Sequence, residues 1–248
     1  TLGSANAQQP LNGFLYGIES QPVGTEWEAP EKLSLNKEQP RAYFFSFGDV
    51  ESAKKVHPEA SKYWQDLNGT WKFHWAPNPG ERPKNFYEAK FDAEDWDDIK
   101  VPSCWNVVGI QKDGSLKYGV PIYCNQPVIF KHTVAVGDWK GGVMREPNKD
   151  WTTYKYRNEV GSYRRTFTVS EDWKDREVYI NFDGVNSFFY LWINGKYVGF
   201  SKNSRNTATF NITDYLVKGE NVVAVEVYRN SDGSFLEAQD MFRLPGIF

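Results

Sequence analysis

Three features of the chain point to an all-β protein built as an antiparallel β-sandwich. Several segments alternate apolar and polar residues with the period of two that a half-buried strand requires. Turn-forming residues separate them, and a helical period is nearly absent. Strands that follow one another through turns, rather than alternating with helices, pack as sandwiches or barrels.

Residues 1–62 show little periodicity and are rich in Pro, Gly, Gln and Glu, so they read as an extended N-terminal arm with one helical turn near 49–55. Residues 63–248 read as the sandwich. The first clear strand covers 67–75, with Trp71, Phe73 and Trp75 on one face. Residues 92–96 form a single capped turn. The stretch 162–169 puts Tyr163, Arg165, Phe167 and Val169 on one side, and 177–185 does the same with Val178, Ile180 and Phe182. The apolar run 188–193 then meets Asn194-Gly195 and continues as 196–200. Asn-Gly between apolar runs predicts a hairpin with a type I′ turn, because both central residues need positive φ. Residues 207–212 and 221–228 supply two more strands, with Gly219-Glu220-Asn221 turning into the last. One stretch, 106–159, is long, weakly periodic and rich in Gly, Pro and Lys; in a compact sandwich such an insertion is functional or interfacial. The last residues, 242–248, end as an apolar run begins, as in a piece of a longer polypeptide.

Composition narrows the function. A chain of 248 residues buries about 70% of its unfolded surface, and 10 Trp, 14 Tyr and 17 Phe exclude disorder. A net charge of -3 gives no footprint for a phosphate backbone, so no nucleic-acid partner is expected. The longest apolar stretch, 188–193, falls far short of the roughly 20 residues that span a bilayer. The many rings suit a sandwich core, and flat rings also stack on sugars; composition favours the core. Cys104 and Cys124 form no CxxC, and His57, His74 and His132 are scattered, so no zinc spacing exists. Ala5-Asn6-Ala7 has the small-x-small pattern of a signal-peptidase site, which points to an exported or periplasmic protein, with a cytoplasmic one as the alternative.

The chain contains no nucleophile elbow, phosphate-binding loop or dinucleotide fingerprint. Its acidic runs, Glu94-Asp95 and Asp97-Asp98, read as solvated faces. Glycoside hydrolysis requires two carboxylates about 5–9 Å apart on rigid elements, and loop acids offer no such pair, so no catalytic residue is assigned. Asn68-Gly69-Thr70 and Asn211-Ile212-Thr213 match the glycosylation pattern but fall in predicted strands. Two segments concentrate polar groups: 231–242, with Asp232, Glu237, Gln239 and Asp240, and 121–127, with Asn125 between prolines. Taken alone, both are ordinary turn chemistry.

Together with Leu67-Asn68-Gly69-Thr70-Trp71, Val101-Pro102-Ser103-Cys104-Trp105, Pro121-Ile122-Tyr123-Cys124-Asn125, Phe182-Asp183-Gly184-Val185-Asn186, Leu191-Trp192-Ile193-Asn194-Gly195 and Trp27-Glu28-Ala29-Pro30, the terminal Gln239-Asp240-Met241-Phe242-Arg243 resembles the N-terminal sugar-binding domain of the bacterial β-galactosidases of glycoside hydrolase family 2. The resemblance spans essentially the whole chain. It implies a jelly-roll-like sandwich, galactose-binding-domain-like, joined to immunoglobulin-like domains and a (β/α)₈ barrel that carries the catalytic glutamates. It also implies that Asn125 and Asp240 contact galactose hydroxyls, that Asp240 ligates sodium, and that the full-length enzyme is a homo-oligomer. Some members use the aspartate matching Asp232 in a second, divalent (magnesium) site. Here Lys202 replaces an expected glutamine and Ala29 an expected asparagine, which disfavours a cation at Asp232 by direct repulsion. Other readings of the same sandwich are a stand-alone carbohydrate-binding module, the equivalent domain of a β-glucuronidase or β-mannosidase, and an interaction domain that builds an oligomer.

Overall fold

The computed structural model describes residues 13–17, 21–124, 158–237 and 241–248. Its strands are β1 (Phe14–Leu15), β2 (Ser34–Leu35), β3 (Gly69–Ala76), β4 (Asp97–Val101), β5 (Ser103–Cys104), β6 (Ile122–Cys124), β7 (Val160–Thr168), β8 (Tyr179–Phe182), β9 (Val185–Asn186), β10 (Phe188–Ile193), β11 (Lys196–Lys202), β12 (Ala208–Asn211), β13 (Glu220–Tyr228), β14 (Met241–Arg243) and β15 (Gly246–Ile247). Short helices occupy Val50–Ala53 (α1), Trp105–Val108 (α2) and Gly233–Glu237 (α3). Among the described residues, no helix is long and apolar enough to cross a membrane.

One sheet carries eight strands in the order β1-β2-β11-β10-β13-β7-β3-β4, and every pair in it is antiparallel except β1 with β2. The other strands form small sheets, β12-β8, β14-β6 and β5-β15-β9. The alternation that marks each strand sorts its residues between two cores. Phe189, Leu191 and Ile193 of β10 join Trp71, Phe73, Tyr163, Ile180 and Phe210 in the core beneath the small sheets. Phe188, Tyr190 and Trp192 point the other way, into a second core closed by Trp27 and Leu35 of the arm and by Phe86. Both faces of β10 are thus covered, which is why its sequence reads as an unbroken apolar run.

The hairpin turn forms as expected, with φ of 52° at Asn194 and 82° at Gly195. Trp71 and Phe73 are buried and Trp75 is half-buried at the rim. Arg165 also sits at a rim, where Nη1 donates to the carbonyls of Leu67 and Asn68 at 2.7 and 2.6 Å. The rings are core: Trp105, Trp192, Tyr163, Tyr190 and Phe73 are among the largest side chains with no appreciable exposure. The helical turn in the arm is α1, capped by Asp49, whose Oδ1 accepts from Ser52 N at 2.7 Å.

One expectation needs amendment. The arm is more than an extended tether, because β1 and β2 extend the large sheet, with Leu35 opposite Phe200 and Ser34 opposite Ser201. A two-residue strand shows no period, so the sequence carried no sign of it. Asp97 stays largely solvated, as expected of its acidic run, and in addition makes an exposed ion pair. Its carboxylate lies 2.5 Å from Lys117 Nζ and accepts from Tyr118 Oη at 2.7 Å.

Candidate functional site

The two polar segments singled out in the sequence are brought together by β6 and β14. Their antiparallel register pairs Ile122 with Arg243, Tyr123 with Phe242, and Cys124 with Met241. Asn125 and Asp240 lie outside the described residues. In the sequence Asn125 follows Cys124 directly and Asp240 precedes Met241 directly. Most of the stretch 106–159 likewise lies outside the described residues. Cys104 carries a free thiol, and β5, its strand, pairs with β15, opposite Gly246.

The chain reaches β14 through residues 229–237, which form a tight polar turn. Asp232 Oδ1 accepts from Gly233 N at 2.8 Å and Ser231 N donates to Ser234 Oγ at 3.0 Å. Ser234 N donates back to the Ser231 carbonyl at 3.0 Å and closes the turn that Ser-Asp-Gly predicts. α3 follows, and Glu237 accepts from Ser204 N at 2.9 Å and Ser204 Oγ at 2.6 Å, tying the turn to the residues after β11. Asp232 N donates to the Trp27 carbonyl at 2.9 Å, tying it to the arm.

Lys202 closes that junction. Its Nζ lies 2.9 Å from both carboxylate oxygens of Asp232 and donates to the Ala29 carbonyl at 2.7 Å. Both side chains are about 5% exposed. Burial pushes the Lys202 ammonium down and the Asp232 carboxyl up, each toward neutrality, while their mutual attraction opposes both shifts. These residues do not fit a divalent ion. The oxygens that would ligate it already hold a positive charge, and a cation within about 4 Å of an ammonium is strongly repelled in a buried setting. Among the described residues, no group of three or more His, Cys, Asp or Glu side chains is arranged to hold a metal.

Below the β6–β14 pair lies an ion pair that the sequence did not reveal. Arg229 Nη1 is 2.7 Å from Glu159 Oε1, and both side chains are fully buried. Asn158 Oδ1 accepts from Asn230 N at 2.9 Å beside it. The signal was faint: Arg229 ends an apolar strand, and its partner stands 70 residues away.

An eight-stranded sheet with small sheets beside it, among them the β6–β14 pair, defines the class of β-sandwich domains. The profile of the family described as "Glycosyl hydrolases family 2, sugar binding domain" matches residues 64–248, and the chain belongs to that family. It is 44% identical over 240 residues to a β-galactosidase of Priestia megaterium (strain DSM 319 / IMG 1521), covering 96% of this chain and 20% of that protein. It is 41% identical over 199 residues to a β-galactosidase of Halalkalibacterium halodurans, covering 80% and 18%. With the β-galactosidase large subunit of Leuconostoc lactis the identity is 36% over 233 residues, covering 90% and 34%. The chain thus spans between 18% and 34% of the length of these relatives.

Proposed function

We propose that the chain is the N-terminal sugar-binding domain of a β-galactosidase that hydrolyses terminal β-galactosides such as lactose with retention, and that its part is to complete the galactose pocket through Asn125 and Asp240. The supporting observation is the β6–β14 register, which ends one residue short of both. An amide both donates and accepts, and a carboxylate accepts from sugar hydroxyls, so the two together read a pair of hydroxyls. Such a site discriminates strongly against sugars lacking those hydroxyls, because its own polar groups are then left unpaired. The resemblance adds sodium at Asp240, a carboxylate being a suitable hard ligand. The acid/base and nucleophile glutamates belong to a barrel elsewhere in the polypeptide, so bond breaking is not the work of this domain.

In the full-length enzyme, Asp240→Asn is expected to lower kcat/KM for a galactoside tenfold or more, roughly 1.4 kcal/mol of transition-state binding. Steady-state kinetics checks this, and unchanged kcat/KM removes Asp240 from the pocket.

A further inference from the structure

Three separate stretches of the chain meet at the Lys202 ammonium. Lys202 is the last residue of β11, and its backbone N donates to the Leu33 carbonyl of the arm at 3.1 Å. An ammonium has three N–H donors and no acceptor. Three acceptors surround this one: Oδ1 and Oδ2 of Asp232, each at 2.9 Å, and the Ala29 carbonyl at 2.7 Å. The turn reaches back to the arm beside them, Asp232 N donating to the Trp27 carbonyl, and the Trp27 ring stacks on Tyr228 with centroids 5.6 Å apart. Glu31 and Glu26 act on the same charge through space from the arm side and favour it. Arm, strand end and turn thus turn carboxylate and carbonyl oxygens toward one positive point, shielded from water.

Oxygen donors around a net negative field are what a hard divalent ion takes. The family resemblance implies such an ion at Asp232, and here the chain itself supplies the charge at that place. An apolar pair of similar volume stabilises a core at least as well as a buried ion pair, so net stability does not account for a lysine here. What the ammonium adds is a joint, one cation whose every donor is used on a different oxygen. A tethered cation also differs from a bound one by mass action. A free ion holds a site only in proportion to its concentration, whereas an ion on the chain's own side chain is always present and no chelator removes it.

We propose that the Lys202 ammonium is a built-in cation that fastens the arm to the 231–234 turn in place of a divalent ion, so that this junction closes without metal. Amide exchange over residues 27–34 of the 248-residue chain, in EDTA and in excess MgCl2 at matched ionic strength, tests it. The wild type is expected to exchange identically in both. Lys202→Gln removes the charge and leaves an amide oxygen. In EDTA its exchange over 27–34 is expected to quicken about tenfold or more, as local opening frees the arm. MgCl2 is expected to restore protection, the ion taking the place of the ammonium, and adding Asp232→Asn to Lys202→Gln to abolish that response. Wild-type protection that falls in EDTA and returns with MgCl2 shows that a metal closes the junction, and overturns the proposal. So does Lys202→Gln protected in EDTA, where no cation is needed, or left open in MgCl2, where Lys202 is only one half of an ion pair. A response to MgCl2 that survives Asp232→Asn places the ion elsewhere and is equally fatal. Should Lys202→Gln be unfolded in EDTA, its refolding is followed by circular dichroism: recovery with MgCl2 supports the built-in cation, and failure in both solutions refutes it.

Discussion

At Lys202 a lysine ammonium is buried against one carboxylate and one carbonyl, and removing either charge leaves the other stranded. Lys202→Met is therefore expected to destabilise the chain by about 3–5 kcal/mol, read from the midpoint of urea unfolding. The paired change Lys202→Met with Asp232→Leu should recover most of that, because it leaves no lone buried charge. A Lys202→Met midpoint equal to wild type would show that water or rearrangement replaces the contact. Lys202 was legible as an oddity of sequence, a cation where a neutral side chain was expected, and geometry supplied its partners. Glu159 and Arg229 were not legible. Nothing in a linear pattern separates a glutamate at the start of a strand from a solvated one, and burial depends on what folds over it.

Most of the longer strands were readable: β3, β7, β8, β12 and β13 fall on segments the alternation marked and β10–β11 on the apolar runs around Asn194-Gly195, whereas β4, five residues long, was not singled out. The two- and three-residue strands were not, since β1, β2, β5, β6, β9, β14 and β15 take their conformation from partners far along the chain. The arm shows how such pieces are held. Glu26 Oε2 accepts from Gly24 N at 2.8 Å, from Thr25 N at 3.0 Å and from Tyr190 Oη, and Oε1 accepts from Val23 N at 2.8 Å. Burial works to raise its carboxyl, and these hydrogen bonds outweigh it, holding it below the ordinary glutamate range. A carboxyl depressed in the folded state adds stability above its unfolded value, about pH 4.3, and that stability is lost as pH falls through the lower folded value. Glu226 acts with the opposite sign. Burial raises its carboxyl despite Arg82 Nε at 3.0 Å, so its contribution is lost as pH rises. Comparing Glu26→Gln with wild type isolates the first effect. The wild type is expected to lose amide protection over 23–36 as pH drops from about 5 to 3, and Glu26→Gln to lack that dependence; equal profiles would detach Glu26 from arm docking. Packing at β2 has its own check. A Cβ on Gly199 would lie 2.1 Å from the Leu35 carbonyl, so Gly199→Val should free β2 and expose residues 33–36 to protease while leaving the β10–β11 hairpin paired.

For the molecule as a whole, the sandwich class was legible because strands that bury one face and leave the other polar, such as β3 and β8, alternate apolar and polar residues between turns. The proposed galactose pocket rests on resemblance alone, since turn chemistry and hydroxyl recognition use the same Asn, Asp and Ser side chains. That distinction governs how the isolated chain should behave. On the proposed function, the two hydroxyl-binding groups meet only one side of a pyranose, and the ring's other contacts and the catalytic pair are to be supplied by other parts of the polypeptide. Few contacts must then offset the full loss of ligand translation and rotation, several kcal/mol or more. Calorimetry of the 248-residue chain with galactose or lactose is therefore expected to show no binding tighter than about 10 mM, and a chromogenic galactoside no turnover. Binding in the micromolar to low millimolar range would instead mark a complete site and a stand-alone carbohydrate-binding module. Hydrolysis by the chain alone would show that it holds the catalytic carboxylates, and the division of labour between sandwich and barrel would fall.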